Sequence, residues 1–405
     1  MKKTKTYLHN PGYLKIDLML CGIRLNENAV KSLGIDLSTG YTGITGGLDI
    51  ILPYKTWVNA PFLEDFAKNS PYELIQKDGK AFIKREGESV KVKIIPKPDF
   101  YKLKTTTGIP LSKIGNMHGS YVAITPDTRC EFFNMNIECR YCAGNFNSKG
   151  GVVYSVEEVL ETVEAAYKEG KAEIVYLSIG FSETPDGGIE FLKPYIKAIK
   201  KHFNTIVAVE ALPPKENKFI DETYAVGADS VLYNMEIFDE KLFKEICPGR
   251  DELIGRNRYI NALKYAAKVF PNGTVASNLI VGLEPAESTM RGIDFLTDLG
   301  VVPILPIYRP VSSVKLLSYK IPSLDEIAPV YKHLYHAVKK NRINMNWVRD
   351  ISVITTPIEA MFFTGDMSRF KTMMHKFYKS KLGLKTVWGL STLRRKLRVR
   401  EVGEG

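Results

Sequence analysis

Six short apolar runs alternate with amphipathic segments through the centre of the chain, and this alternation limits the fold more than any other feature. Parallel strands joined by helices form an open doubly wound sheet or a complete or partial barrel. In all of these folds the ligand lies at the carboxyl ends of the strands. The predicted strands are 121–125, 173–178, 205–209, 230–234, 274–281 and 301–307. The sequence therefore predicts a site at the edge where these strands end.

Helices are expected between the strands. Ser155 and Glu158 have the spacing of a capping box, which predicts a helix from Ser155 to about residue 167. Ser323 and Glu326 lie at the start of a last helix that is expected to run to about residue 340. The other predicted helices are 188–202, 217–226, 251–269 and 286–299.

Three of the five cysteines follow the first predicted strand, at Cys130, Cys139 and Cys142, with the spacing C-x8-C-x2-C. Three thiolates on one loop can hold a [4Fe–4S] cluster and leave one iron free for a non-protein ligand. No further Cys or His lies nearby to complete a tetrahedral zinc site. Cys21 and Cys247 are too few for a second cluster and are interpreted as structural thiols.

Polar side chains follow several of the other strands. Glu210 emerges from an apolar strand, where a carboxylate is costly unless it is paired. Asn234 and Glu236 follow the fourth strand, and Tyr308 and Arg309 follow the sixth. Because these ends share one edge of the sheet with the cysteine loop, the sequence predicts that the open iron belongs to a ligand site.

The cysteine motif, with Tyr141 before its last cysteine, resembles the signature loop of radical SAM enzymes. The strand and helix pattern is similar to the partial (β/α)6 TIM-type barrel of that superfamily, and 205–310 is most similar to its biotin-synthase-like branch. The first gap of eight residues also resembles a radical SAM family of nitrilase-type gene clusters. The resemblance implies a [4Fe–4S] cluster that cleaves S-adenosyl-L-methionine to a 5′-deoxyadenosyl radical, which abstracts a hydrogen from the substrate.

The same resemblance implies roles for individual residues. Asn234 and Glu236 would lie near the ribose, and Arg258 or Arg256 would bind the methionine carboxylate. The segment after the second strand would meet the methionine amino group, and the fifth strand, with Tyr141, would lie near the adenine. The segment after the second strand contributes Ser178, Gly180, Ser182 and Glu183, and the fifth strand contributes Ile280 and Gly282. Glu210, Tyr308 and Arg309 are the expected substrate contacts.

Three units are expected: a β-rich N-terminal extension over 1–117, the barrel over 118–341 and a basic helical extension over 342–405. The run 77–84 is expected to form a hairpin with 89–95. Residues 369–400 are rich in Lys and Arg and contain no acidic residue, within a net charge of +11. This tail is interpreted as a helix that covers the barrel with a solvated basic face, or as a contact for a membrane surface or an anionic partner.

These observations favour a radical SAM enzyme that acts on an unknown small-molecule or lipid substrate with a reducing partner such as ferredoxin or flavodoxin. A radical SAM enzyme that modifies tRNA or another nucleic acid is the alternative, suggested by the charge, and a non-enzymatic iron–sulfur scaffold is a third. The chain lacks a run of about 20 apolar residues, so no transmembrane helix is expected. Five cysteines with three clustered suggest a reducing cytoplasm, with a peripheral membrane location as an option.

Overall fold

The computed structural model describes residues 7–37, 46–142, 151–170, 172–310, 314–316, 319–345 and 348–365, together with 386, 389 and 392–395. Within these residues the strands form two sheets, one of six strands and one of seven. The expected basic extension falls largely outside the described residues. None of the helices in the described part of the chain combines the length and the apolar character that a membrane span requires.

The N-terminal sheet has the strand order β1-β4-β5-β6-β2-β3. Its strands are β1 (Arg24–Leu25), β2 (Leu48–Leu52), β3 (Thr56–Ala60), β4 (Glu73–Lys77), β5 (Lys80–Arg85) and β6 (Glu88–Ile94). The expected hairpin forms between β5 and β6, which pair antiparallel. Its turn contains Glu86 and Gly87, which both have positive φ. Two-residue hairpin turns of this kind require that conformation.

The N-terminal region also contains a helix that the sequence interpretation missed, Pro11–Cys21. Asn10 caps it by accepting from the backbone of Gly12 and Tyr13, and Pro11 occupies its first turn. The helix is buried on nearly every face, including Lys15 and Asp17. A helix that is buried all round has no polar stripe, so the periodicity that usually identifies a helix is absent.

The second sheet positions the site. Its strands lie side by side in chain order, from β7 to β13. Strands β8 to β13 are parallel, and β7 is antiparallel to β8. The strands are β7 (Gly115–His118), β8 (Tyr121–Ile124), β9 (Ile174–Ser178), β10 (Ile206–Glu210), β11 (Ser230–Leu232), β12 (Val275–Asn278) and β13 (Val302–Ile304). β7 and β13 are the two edges of this sheet in the described chain, so the barrel is partial. The predicted fold class is confirmed.

Helices connect the parallel strands as expected, and both capping boxes form, at Ser155 and Ser323. The helices of this part of the chain are Leu111–Ile114, Glu131–Asn134, Val156–Lys168, Ile189–His202, Lys218–Val226, Glu240–Ile246, Pro248–Leu253, Arg256–Val269, Ala286–Asp298 and Leu324–Lys340. The N-terminal region contains a further α-helix, Glu27–Ser32.

One predicted helix, 251–269, is wrong in its first turn. The structure has two helices there, and Gly255 separates them at φ +80°. A residue with this φ interrupts a right-handed helix, and glycine adopts it readily. The break changes where the arginines of this segment point.

The N-terminal sheet packs against the segment that follows the last barrel helix. The backbone of Asn59 donates to the carbonyl of Ser352 at 2.8 Å. Lys15 and Glu359 form a fully buried ion pair, with Nζ and Oε2 2.9 Å apart. Removing one partner of such a pair leaves an uncompensated charge, so the pair fixes how the two segments meet. The domain boundaries stay a prediction, although the second sheet begins at Gly115 rather than at residue 118.

Candidate functional site

A cavity of about 340 Å³ lies at the carboxyl ends of the parallel strands. All three motif cysteines line it, together with residues that follow five of the strands. The strand-end residues in its wall are Ser178, Ile179, Gly180, Phe181, Glu210, Ala211, Leu212, Asn234, Glu236, Asn278, Ile280, Pro306, Ile307, Tyr308 and Arg309. The cysteine loop contributes Phe132, Phe133, Glu138 and Tyr141, and Arg250 and Val314 complete the wall.

Packing against two other segments holds the cysteine loop in this position. The ring of Phe132 stacks on Phe181 with centroids 4.2 Å apart. The backbone N–H of Gly249 donates to the carbonyl of Ile137 at 3.0 Å, and a Cβ at Gly249 would lie 2.6 Å from the Phe132 ring. These contacts explain how a loop with an eight-residue first gap keeps one position: Phe132 anchors it, and glycine lets the neighbouring backbone approach.

Two motif thiols receive hydrogen bonds from the surrounding protein. Arg250 Nε donates to Cys139 Sγ at 3.2 Å, and the backbone N–H of Phe181 donates to Cys130 Sγ at 3.3 Å. The Cys247 thiol, aided by Arg250, lowers the pKa of Cys139 even though burial opposes this. Burial raises the pKa of Cys130, with the backbone bond from Phe181 acting against it. Donors of this kind favour the thiolate, which is the form that binds iron.

The donor set fits an iron–sulfur cluster. No group of three Cys, His, Asp or Glu side chains in the described residues lies close enough to hold a single metal ion. A cubane takes each thiolate on a different iron, so its ligands are farther apart than those of one ion. Cys130, Cys139 and Cys142 around one cavity are consistent with that arrangement.

Arg250 and Glu236 form a buried charged pair beside the cysteines. Arg250 Nη2 lies 3.3 Å from Glu236 Oε1, and its Nη1 donates to the carbonyl of Asn234 at 2.5 Å. Burial raises the pKa of Glu236 to about 7, and Arg250 limits the rise. Glu236 has a left-handed backbone (φ +65°), which is uncommon for a residue other than glycine. An outlier of this kind beside a cavity is typical of a functional site.

Glu210 belongs to a second polar group on the same wall. Its carboxylate accepts from Tyr176 Oη and from Asn234 Nδ2, the latter at 2.5 Å. Asn234 Oδ1 in turn accepts from the backbone of Asn278 at 3.0 Å. One hydrogen-bonded chain thus links four neighbouring strands, β9 to β12.

The structure brings most of the residues predicted from the sequence to this cavity and leaves five of them outside it. Ser182 and Glu183 lie beyond Phe181, and Gly282 has φ +100° and packs against Pro322. Arg256 donates to the carbonyl of Phe238 and Arg258 to that of Pro214. Neither arginine therefore faces the cavity; the arginine of this segment that does is Arg250.

A second, larger cavity of about 920 Å³ occupies the interior of the barrel. It adjoins the first, because five residues line both: Ser178, Glu210, Asn278, Pro306 and Arg309. At its far end lies His118, whose Nδ1 is buried and has no hydrogen-bond partner in the described chain. Strand β7, which ends at His118, was not expected from the sequence.

A substitution at Gly180, which lies against Cys130, tests whether the position of the cysteine loop affects cluster binding. A Cβ there would lie 2.4 Å from the carbonyl oxygen of Arg129 and 2.6 Å from Cys130 Cβ. We expect Gly180→Ala to push Cys130 outward, lower the free energy of unfolding by about 1–3 kcal/mol and reduce bound iron. Gly389→Ala is the control, because no described residue lies within 4 Å of the Cβ that it adds. Equal iron contents and melting temperatures in the two variants would contradict this account.

His118 should make stability depend on pH. Burial lowers its pKa to about 4, against an ordinary value of 6.5. Between these values the unfolded chain takes up a proton that the folded chain does not, so the free energy of unfolding falls as pH falls from 6.5 to 4. The loss is up to about 3 kcal/mol. In denaturant titrations His118→Gln should flatten this pH dependence, whereas His202→Gln, on an exposed helix face, should leave it unchanged.

Comparison with known proteins matches the centre of the chain to one superfamily. Residues 129–296 match the family model described as the radical SAM superfamily. The matched region contains the cysteine motif and most of the strands that line the cavity.

Two curated relatives and one solved structure illustrate the similarity. The chain is 26% identical over 120 residues to bacteriochlorophyllide c C-7(1)-hydroxylase of Chlorobaculum limnaeum, covering 29% of this chain and 30% of that protein. It is 29% identical over 171 residues to lipoyl synthase of Thermus thermophilus, covering 39% and 51%. Methylornithine synthase superposes with a TM-score of 0.45 and 15% identity, covering 67% and 78%. The matches therefore span from under a third to about half of the length of these curated relatives.

Proposed function

Because the chain belongs to the radical SAM superfamily, whose members use a [4Fe–4S] cluster and S-adenosylmethionine, we propose that it abstracts hydrogen from a small-molecule or lipid substrate held in its barrel. The predicted family and cofactors are confirmed at this level. The observation that carries the proposal is that three thiols, a buried arginine–glutamate pair and the strand-end amides line one cavity.

In this reaction the protein would hold the cluster, orient S-adenosylmethionine and the substrate, and enclose them away from water. Cys130, Cys139 and Cys142 would hold the cluster, and Arg250 and the backbone of Phe181 would stabilise their thiolate forms. When bound, the cluster supplies the electron that cleaves S-adenosylmethionine to methionine and a 5′-deoxyadenosyl radical.

We assign the cofactor contacts by position in the cavity. Arg250 replaces Arg256 and Arg258 as the proposed partner of the methionine carboxylate, since its guanidinium lies beside Cys139. Glu236 and Asn234 are the proposed ribose contacts, and Ile280 and Tyr141 would lie along the adenine. The five proposed contacts line the cavity, whereas Arg256 and Arg258 lie outside it.

The substrate contacts are proposed where the two cavities join. Glu210 and Arg309 line both cavities, which is where a substrate inside the barrel would meet the cofactor. Tyr308 is buried and donates its hydroxyl to the carbonyl of Leu316, so we propose that it shapes the wall. The five cysteines leave too few ligands for a second cluster, which disfavours insertion of sulfur drawn from one.

Radical SAM chemistry requires a reductant and a substrate. We propose ferredoxin or flavodoxin as the electron donor and a cytoplasmic location. Contact of the basic tail with a membrane surface or a nucleic acid stays a prediction, because most of 369–400 lies outside the described residues. A nucleic-acid partner would release counterions, so its binding should weaken steeply as salt rises.

An anaerobic cleavage assay tests the proposed function. The reconstituted, dithionite-reduced protein is incubated with S-adenosylmethionine, and 5′-deoxyadenosine and methionine are measured by chromatography. We expect both products to form in equal amounts above a protein-free control. A protein that holds the cluster and forms neither product, with or without candidate substrates, would instead be an iron–sulfur scaffold.

A further inference from the structure

The interior cavity is lined by alternate residues of each parallel strand, as the period of a β-strand requires. Its walls contain Ile174, Tyr176 and Ser178 from β9, and Ile206, Ala208 and Glu210 from β10. Each of these sets runs from the start of a strand to its end, a rise of about 13 Å at about 3.3 Å per residue. The cavity therefore extends along the barrel axis and opens at the cofactor end.

Each of the six parallel strands contributes a small, apolar or aromatic residue to the wall of this interior. These residues are Ala123, Tyr176, Ala208, Leu232, Ala276 and Ile304, and Ser230, which pairs with Ala208, lines the cavity beside them. Closed eight-stranded barrels fill the corresponding layers with bulky branched side chains. Here three of the six are alanines, which leaves an apolar passage between the polar groups at the two ends.

Arg309 lies where this passage meets the cofactor cavity. Its guanidinium makes no hydrogen bond or ion pair with the described residues, and Glu64 is the acidic group that acts on it from a distance. Burial lowers its pKa to about 10, so it remains a cation at neutral pH. Arg250, in contrast, already pairs with Glu236 and contacts Cys139. Among the described residues at this junction, Arg309 is therefore a cation that is available to an incoming anion.

We infer that the substrate is an elongated amphiphile whose carboxylate or phosphate binds Arg309 and whose apolar chain lies in the passage between Ala123, Ala208 and Ala276. The inference rests on the proposed function, since it names the substrate class of the same site. A charged end at Arg309 places the adjoining carbons at the junction of the two cavities. The carbons next to the acid group are then the ones closest to the cofactor.

Binding of model amphiphiles to the reconstituted protein tests this inference by calorimetry. Decanoate and decyl phosphate are compared with decan-1-ol, which lacks the charge, and with butanoate, which lacks the chain. We expect the better of the two long acids to bind about tenfold or more tightly than the alcohol and the short acid. Whether decanoate or decyl phosphate binds better identifies the anionic group.

Three variants and one control separate the contribution of the charge from that of the passage. Arg309→Met should remove the preference for acid over alcohol, whereas Arg291→Met, on an exposed helix face, should keep it. Ala208→Leu and Ala276→Leu fill the passage. Each should weaken the binding of decanoate and of decanol equally, by about tenfold. Their melting temperatures and affinities for S-adenosylmethionine report whether fold and cofactor site are intact, and a destabilised variant is replaced by the milder Ala→Val change at the same position.

The outcomes are distinct. Equal binding of decanoate, decanol and butanoate would overturn the inference. So would an Arg309→Met variant that keeps its preference for acids but loses affinity for S-adenosylmethionine, because Arg309 would then serve the cofactor. If the protein cleaves S-adenosylmethionine but binds neither long acid, only this inference is contradicted. Acid binding without cleavage contradicts the proposed function instead.

Discussion

Replacing Cys139 with alanine is expected to remove the cluster, with iron and sulfide falling from about four per chain to near zero. The Cys139 thiol is buried between Arg250 and Cys247 and accepts a hydrogen bond from Arg250. Without it, two cysteines and a charged arginine remain around the space that the cluster would fill. Formation of 5′-deoxyadenosine should be lost together with the iron.

Two other cysteines serve as controls. Cys21 lies in the N-terminal helix, where its thiol bonds Asp17 at 3.5 Å, so Cys21→Ala should keep the full cluster. Cys247 contacts Cys139 but lies outside the motif, so Cys247→Ala should also bind the cluster. If Cys139→Ala retained its iron, or if Cys247→Ala lost it, the assignment of the three ligands would be wrong.

Replacing Arg250 with leucine is expected to weaken binding of S-adenosylmethionine by about tenfold to a hundredfold, as for the loss of a charge-assisted hydrogen bond. The same change leaves Glu236 buried without its partner, which should lower the free energy of unfolding by about 3 kcal/mol at high pH. Since Arg250 holds the pKa of Glu236 down, that pKa rises further in the variant. A raised carboxyl pKa means that stability falls as pH rises, so the variant should lose stability more steeply between pH 5 and 8.

Arg256→Leu is the matched comparison, because Arg256 donates to the carbonyl of Phe238 and lies outside the cavity lining. We expect its affinity for the cofactor, measured by equilibrium dialysis, to match that of the unmodified protein. A larger loss in Arg256→Leu than in Arg250→Leu would support the arginine expected from the sequence and contradict the one that the structure positions.

The barrel could be predicted because its signals are local. The strands are short apolar runs, and capping boxes at Ser155 and Ser323 mark helix starts within four residues of sequence. The residues at the strand ends follow from the topology, since all parallel strands end at one edge. Glu210, Asn234 and Arg309 therefore reach the same cavity although they are distant in the chain.

The remaining site residues depend on tertiary geometry that no local pattern contains. Arg250 faces the cysteines because the chain turns at Pro248 and the next helix begins only after Gly255. The family resemblance implied Arg256 and Arg258 instead. His118 faces the barrel interior through strand β7, which pairs antiparallel at the sheet edge. The Asn10–Pro11 cap of the N-terminal helix was the one local signal available and overlooked.

Hyperfine spectroscopy on the reduced, reconstituted protein tests most directly whether S-adenosylmethionine would bind the open iron of the cluster. S-adenosylmethionine labelled with ¹⁵N in the amino group and ¹⁷O in the carboxylate is added to the reduced protein. We expect hyperfine coupling of both labels to the cluster in the unmodified protein, and little or none in Arg250→Leu at the same cofactor concentration. A full cluster whose spectrum is unchanged by the labelled cofactor would contradict this expectation.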